Sequence, residues 1–506
     1  MTTVLELQDI TKRFGHLTAN DNISLRLEKG EILAFLGENG AGKTTLMNIL
    51  FGHYVPDEGR VFVKGSELPP GKPRAAIKAG LGMVHQHFTL APNLTVLENI
   101  MTGTESLWKL HSDRRQSAQK VREISHRFGL EVAPDARLGD LSVGEQQRVE
   151  ILKALYNDAD ILILDEPTAV LTTQEAENLF RTLKEMARQG LSLIFISHKL
   201  HEVMSAADRI IVLRGGKIVA ERKAQDTSKE ELAELMVGRR VSRPARAPST
   251  PGDILLEARN VTVKDGSTTR LDDISFHVRA GETLGIIGVS GNGQAALGNL
   301  VSGLIKPAQG ELLMFGEAVS VFDPRHFVAH GVGRIPEDRN TDGAIGDLTL
   351  WENAILERVR DARFSNGLFV NRQAARDFTA RIIRDFDVRG GTPDSRIRLL
   401  SGGNMQKLIL GRNLETSPRI LIAAQPTRGL DEGAVAAIHG RILEARQQGA
   451  AVLLISEDLD EIIGLADRVQ AIVKGRLSPA IDANEANAQR LGLMMAGEWN
   501  MTKEEQ

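Results

Sequence analysis

Gly37-Glu38-Asn39-Gly40-Ala41-Gly42-Lys43-Thr44-Thr45 is the stretch from which the rest of the chain is read. It follows an apolar run, residues 32–36, and leads into Leu46-Met47-Asn48-Ile49-Leu50, a helical pattern. A strand, a glycine-rich turn and a helix N-terminus make a loop suited to cradling phosphate. Glycines let the backbone approach the anion, and several N–H groups meet it at the positive end of the helix dipole. Lys43 can neutralise β- and γ-phosphates, and the Thr44 hydroxyl can ligate Mg²⁺. The competing reading is an ordinary glycine turn with a chance Gly-Lys-Thr, and the residues downstream decide between the two.

The chain has 506 residues, too many for one ordinary core, so two domains are expected. Hydrophobic residues make up 42% and charged residues 25%, the balance of a globular protein. A net charge of −4 gives no bulk attraction to nucleic acid. Without a cysteine there is no disulfide, no Cys-ligated zinc and no iron–sulfur cluster, and a reducing setting is compatible. No signal peptide is visible at the start, and no apolar run reaches the ~18–20 residues that span a bilayer. A membrane role is therefore expected to come through a partner.

The second half repeats the first. Asp21-Asn22-Ile23-Ser24-Leu25 answers to Asp272-Asp273-Ile274-Ser275-Phe276, Lys29-Gly30-Glu31 to Ala280-Gly281-Glu282, and Ala207-Asp208-Arg209-Ile210 to Ala466-Asp467-Arg468-Val469. A repeat of this length is a duplicated domain rather than a solenoid. The expected boundaries are 1–237 for the first domain, 238–252 for a linker and 253–506 for the second. The linker is rich in proline and serine without periodicity; its arginines have no interleaved aromatics, so it reads as solvated spacer, not a nucleic-acid patch. Each half has short continuous apolar strands, such as 161–164 and 193–196, separated by amphipathic helical stretches such as 175–189. That pattern predicts an α/β fold with a parallel sheet covered on both faces.

In the first half, Asp165 and Glu166 close a buried strand. The first acid suits Mg²⁺, and the second can accept a proton from an attacking water. Leu141-Ser142-Val143-Gly144-Glu145 opens a helix, and His198 ends the next strand at the edge that bears Lys43 and Asp165. His85 and His87 flank Gln86, but no third metal ligand is evident.

This set of motifs resembles the ATP-binding cassette (ABC) ATPases, and the resemblance runs through nearly the whole chain twice. It implies two P-loop nucleotide-binding domains, each with a mainly parallel sheet, a small antiparallel sheet and a helical subdomain. Residues 37–45 match the Walker A loop, so Gly37, Glu38, Asn39, Gly40, Ala41, Gly42, Lys43, Thr44 and Thr45 are expected to bind ATP. Gln86 matches the Q-loop, 141–145 the signature motif, 161–166 Walker B and His198 the switch histidine. Phe14 matches the aromatic that stacks on adenine. Lys43, Gln86, Glu166 and His198 are then the catalytic set, and Thr44, Gln86 and Asp165 the Mg²⁺ ligands.

The second half departs from the pattern. Gln294 stands for Lys43, Ala295 for Thr44, Asp265 for Phe14, Glu337 for Gln86, Ala424 for Asp165, Gln425 for Glu166 and Glu457 for His198. Its signature, Leu400-Ser401-Gly402-Gly403-Asn404, stays close to the family pattern, whereas the first half has Val143 where glycine is expected. Asp431 is kept after the second Walker B, and Thr172 replaces it in the first. Cassettes of this family work head to tail, which implies one good composite site: the first half's Walker motifs facing Ser401, Gly402, Gly403 and Asp431.

Tandem asymmetric chains of this size resemble the ATPase subunits of bacterial simple-sugar and nucleoside importers, and Leu400–Lys407 together with Ala424-Gln425-Pro426 favours the nucleoside branch. The resemblance implies integral-membrane permease subunits as partners, a solute-binding protein indirectly, no nucleic acid, and a peripheral place on the cytoplasmic face of the cell membrane. The alternative is a tandem ABC ATPase acting on ribosomes; such factors keep both sites intact and carry a long charged linker. Permease docking is expected between the Q-loop and the signature, where 94–99 and 348–353 read as extended apolar-polar pieces.

Overall fold

The computed structural model describes residues 2–499 except 39, 86–88, 105–113, 169–170, 172, 198 and 239–243. It divides into two compact units, Met1–Val241 and Ser242–Gln506. Asn39, Gln86, His87, Thr172 and His198, singled out in the sequence, lie outside the described residues.

The apolar runs become strands that are buried along their whole length. In the first unit Ile32–Leu36, Ile161–Asp165 and Ser192–Ile196 have every residue buried. Strands apolar on both sides need cover on both faces, which a parallel sheet with crossover helices supplies. The six-stranded sheet runs Lys217–Lys223, Arg209–Arg214, Ile32–Leu36, Ser192–Ile196, Ile161–Asp165, Leu81–Val84, and only the first pair is antiparallel. One face packs on a small antiparallel sheet built on the hairpin Thr3–Phe14/Leu17–Glu28. The other packs on helices that include a helical subdomain, Val96–Met101, Arg114–Phe128 and Val143–Tyr156.

The second unit repeats this order. Val332–Ile335, Ile420–Ala424, Ala451–Ser456, Thr283–Ile287 and Arg468–Val473 pair in parallel, with short antiparallel strands at the last of them. Its antiparallel sheet is built on Ile254–Asp265 and Thr268–Arg279, and its helical subdomain on Leu350–Ile355, Arg372–Asp385 and Gly402–Leu414. Each unit is the α/β cassette that the sequence led us to expect.

One sequence reading changes. Residues 94–99 and 348–353 are not extended; they start helices Val96–Met101 and Leu350–Ile355 through capping boxes. Thr95 and Thr349 accept from the backbone of Glu98 and Glu352, whose carboxylates return the bond, satisfying N–H groups that a helix start leaves open. Residues 244–252 are mostly exposed and run along the second unit. Arg446, fully buried, forms a bidentate pair with Asp467 and donates to Ala247 O at 2.9 Å, while Ser249 Oγ donates to Gly281 O at 2.8 Å.

Candidate nucleotide site

Sheet register places the first unit's chemistry along one edge. Phe35 pairs with Ile196, and Ile196 with Asp165, so the loop after Ile32–Leu36 and the acid ending Ile161–Asp165 leave the same carboxyl end of the sheet. Ligands of open α/β sheets bind at that end.

The loop bends into the helix Lys43–Leu50 through Gly42, at φ +99°, where a Cβ would lie 2.1 Å from Ala19 O. Only glycine fits there. Asn20, fully buried on the neighbouring strand, donates to Gly42 O at 3.1 Å and holds the loop shut. Lys43 is buried and folds back, its Nζ donating to Gly37 O at 2.6 Å and Glu38 O at 2.9 Å. Ala41 is buried, Gly40 and Thr44 are exposed and Thr45 is half-buried in the first helical turn.

Asp165 is buried, and its carboxyl is pushed up to about 6, first by burial and then by Glu166; Lys43 and a hydrogen bond from Thr44 partly offset this. Glu166 follows at φ +46°, its N–H donating to Ile196 O at 3.1 Å. A non-glycine residue in that region costs on the order of 1–2 kcal/mol, strain that aims the side chain out of the strand line. Phe14 is exposed at the hairpin end, its ring edge-on to Tyr54 at 5.6 Å; Tyr54 N–H in turn donates to Asn48 O of the loop's helix. Ser197, at the end of its strand, donates from Oγ to Glu202 at 2.8 Å, and Thr168 Oγ1, three residues past Asp165, donates to the same carboxylate at 2.6 Å. Glu202, nearly fully buried, thus ties these two strand ends together; sequence reasoning missed it, and its signal was an acid four residues past position 198.

Among the described residues no cluster of three or more His, Cys, Asp or Glu is arranged to hold a metal ion. His85 instead stacks on His53, with centroids 5.8 Å apart, and burial lowers its pKa.

The two signature helices differ in a way the motif letters only hint at. In the first unit Ser142 is spent on its own helix: Oγ donates to Glu145 at 2.8 Å and accepts from Glu145 N, and Glu145 places a negative charge at the N-terminus. In the second, Ser401 accepts from Asn404 Nδ2 at 2.9 Å, which leaves its hydroxyl hydrogen to donate, and no acid sits in the first turn of Gly402–Leu414. The guanidinium of Arg339 lies beside Gly402, where a Cβ would meet it at 2.8 Å, so this helix N-terminus gains a cation. Gly403 packs on Ala434, the residue whose N–H is capped by Asp431, which brings Asp431 next to the signature.

The second unit's own loop keeps its shape with other chemistry. Gln294, buried like Lys43, donates from Nε2 to Val289 O at 2.8 Å, the equivalent of the Lys43–Glu38 bond, but carries no charge. Leu271 stands where Asn20 does. Gln425 repeats the strained backbone at φ +47° without a carboxylate. Burial and the neighbouring Glu337 hold Glu457 above the usual carboxylate range, against Arg428 and a hydrogen bond with Ser290 of the loop; Arg428 also pairs with Glu337 at 3.0 Å. Side chains of the unit itself therefore join the loop, the strand end and the switch position.

A doubled P-loop cassette with one intact set of Walker residues and one intact signature defines a tandem nucleotide-binding ATPase. A sequence profile described as ABC transporter matches residues 20–169 and 271–428, once in each unit. The nucleoside import ATP-binding protein NupA of Lactococcus lactis subsp. cremoris is 44% identical over 98% of both chains, and the guanosine import ATP-binding protein NupO of Bacillus subtilis 45% over 98% of both. The glucose import ATP-binding protein TsgD13 of Haloferax volcanii is 42% identical, covering 97% of this chain and 96% of its own. Among solved structures, the archaeal ribosome recycling factor aABCE1 in complex with stalk protein aP1 superposes with a TM-score of 0.64 over 96% of this chain and 92% of that one, at 18% identity, a likeness of fold alone. The chain belongs to the ABC transporter family, in its group of tandem import ATP-binding subunits, and is an ATPase. Such subunits work with membrane permeases, and among the described residues no helix is long and apolar enough to cross a membrane.

Proposed function

We propose that this protein energises nucleoside uptake through a separate permease fed by a solute-binding protein, from the cytoplasmic face of the membrane, with one composite site for ATP hydrolysis. The observation that carries the site is the sorting of defects. Lys43, Asp165 and Glu166 are intact where Gln294, Ala424 and Gln425 are not, while Ser401 is free to donate where Ser142 is bound to Glu145. Nucleosides are favoured over sugars by the identity of 44–45% to NupA and NupO, against 42% to a glucose and 35% to a ribose import subunit. The ribosomal reading is supported by fold alone.

In this reading Lys43 exchanges its loop carbonyls for the β- and γ-phosphates, and the loop's N–H groups hold the anion. The adenine lies against Phe14. Glu166 takes the proton of the attacking water, and the roles of Gln86 and His198 toward the γ-phosphate rest on the motif match alone. Ser401 and the N–H groups of Gly402 and Gly403 donate to that phosphate from the signature side, supported by Asp431. The donors suit Mg²⁺: Thr44 and Gln86 carry neutral oxygens, and Asp165 is a buried acid beside Glu166 whose pKa burial raises. When bound with ATP, the ion neutralises charge on the phosphates.

The test is reconstitution of the full chain with its permease and binding protein in proteoliposomes, followed by ATP-dependent uptake of labelled guanosine against labelled ribose or glucose. Guanosine accumulation that Lys43→Ala removes is expected. Uptake of neither class, with co-sedimentation on ribosomes, would overturn the reading.

A further inference from the structure

The helical subdomain of the second unit carries a feature that nucleotide chemistry does not use. Residues 364–371 form a short hairpin: Asn371 N–H donates to Phe364 O at 2.8 Å, Ser365 and Val370 form an antiparallel bridge, and the turn passes through Gly367 at φ +93°. Its root is fixed, because Phe364 is fully buried and packs on Phe378 with centroids 5.2 Å apart. Its tip is the reverse. Leu368 is 93% and Phe369 74% exposed, and Leu356, Val359 and Val370 are also exposed nearby in sequence. Apolar side chains at the end of a rigid hairpin, with no neighbour to cover them, mark a contact with another phase or molecule.

The charge around the tip says which. Between Arg358 and Gln373 stand four arginines, Arg358, Arg360, Arg363 and Arg372, and one acid, Asp361, in a chain whose net charge is −4. Arg363 and Arg372 flank the hairpin base, Arg363 lying over the rings of Phe364 and Phe378 at 4.4 and 4.8 Å. Glu357, the next acid upstream, is taken by Arg412 at 3.0 Å. Among the described residues no close ion pair joins the four arginines to a carboxylate, although Asp361 and Glu357 act on Arg358, and Arg372 on Glu352, at longer range. An apolar point ahead of a cationic collar has the layering of a bilayer surface, where acyl chains lie behind a sheet of phosphates. A convex tip also fits a fluid surface without needing a matching hole.

We propose that the 364–371 hairpin is a membrane-surface anchor: Leu368 and Phe369 enter the headgroup region of an anionic bilayer while Arg360, Arg363 and Arg372 meet lipid phosphates. The inference stands on the tip itself and is independent of which solute is carried. Such an anchor is weak alone and acts by holding the second unit's helical subdomain against the bilayer beside the permease.

The absence of cysteine makes the test direct, since Leu368→Cys creates a single labelling site in the full chain. A polarity-sensitive fluorophore there should brighten and shift to the blue on phosphatidylcholine vesicles containing phosphatidylglycerol, and stay unchanged on phosphatidylcholine alone. The same label at exposed Val321→Cys should not respond. In flotation assays Leu368→Ser/Phe369→Ser and Arg360→Gln/Arg372→Gln should each weaken binding to the anionic vesicles by about tenfold or more, with ATPase activity in solution unchanged. A label silent on anionic vesicles at low salt would overturn the proposal, as would binding that neither double variant weakens. Loss of permease association in the tip variant without loss of vesicle binding would assign the tip to a protein partner and equally overturn it.

Discussion

Lys43 and Gln294 sit at one position in two copies of the same loop and make one shared hydrogen bond, to the carbonyl of residue 38 or 289. What separates them is charge, and charge acts on the phosphates. Lys43→Ala and Glu166→Gln should therefore each lower steady-state ATPase by ~10²–10⁴-fold, while Gln294→Ala and Gln425→Ala leave most of it. Equal losses in both halves, measured on purified full-length protein, would contradict the asymmetry. Asp165 adds a stability argument. Its pKa is raised from 3.8 to about 6, so the fold prefers the protonated form. The associated stability is complete below the unfolded pKa and is lost as pH rises through about 6. By linkage the loss is about 1–3 kcal/mol at neutral pH. Asp165→Asn should accordingly raise the Tm of the nucleotide-free chain near neutrality, with the gain over wild type shrinking as pH falls through about 6 toward 4. Mg²⁺ with ATP should then stabilise wild type more than the variant; a Tm gain independent of pH would sink the account.

At the scale of elements, the signature helices carry the argument. The N-terminus of Val143–Tyr156 already has an anion, Glu145, whereas that of Gly402–Leu414 has a Ser401 hydroxyl that accepts from Asn404 and keeps its hydrogen to donate, and the Arg339 guanidinium. A γ-phosphate is repelled by the first and drawn to the second. Ser401→Arg should abolish hydrolysis by filling the site, and Ser142→Arg should cost little turnover beyond its lost cap, about 1 kcal/mol of stability. If Ser142→Arg were the inactive variant in ATPase assays, the pairing would be reversed. Much of this was legible in the sequence, because buried parallel strands are continuous apolar runs and the loop, strand-end acids and signature have fixed spacing. Three things were not. Residues 94–99 and 348–353 were misread as extended because alternation is visible in so short a piece while the Thr-x-x-Glu cap is not a periodic signal. Asn20 acts on Gly42, and Glu202 joins Thr168 to the strand end at Ser197, across separations in sequence that motif spacing does not show. That residues 244–252, though mostly exposed, are tied to the second unit by buried Arg446 is not visible in composition.

For the whole molecule the consequence is a count. Two cassettes in one chain suggest two nucleotides per turnover, but the second unit has lost the lysine charge, the acid ending its Walker strand and the carboxylate that follows it. Its Glu457 is hydrogen-bonded to Ser290 and its Glu337 paired with Arg428, which puts acidic groups where a triphosphate would bring more negative charge. Like charges gathered in a partly buried place oppose binding by several-fold at least, and no cation of the intact loop is there to offset them. Glu166→Gln, which blocks proton transfer but leaves the phosphate cradle, should therefore trap close to one ATP per chain when radiolabelled nucleotide is added with Mg²⁺ and the excess removed by rapid gel filtration. Lys43→Ala added to that background should empty the trap, and Gln294→Ala should not. Two trapped ATP molecules per chain, or one that survives Lys43→Ala, would mean that the second cassette holds triphosphate in its own right, and the division of the chain into one working site and one structural partner would have to be abandoned.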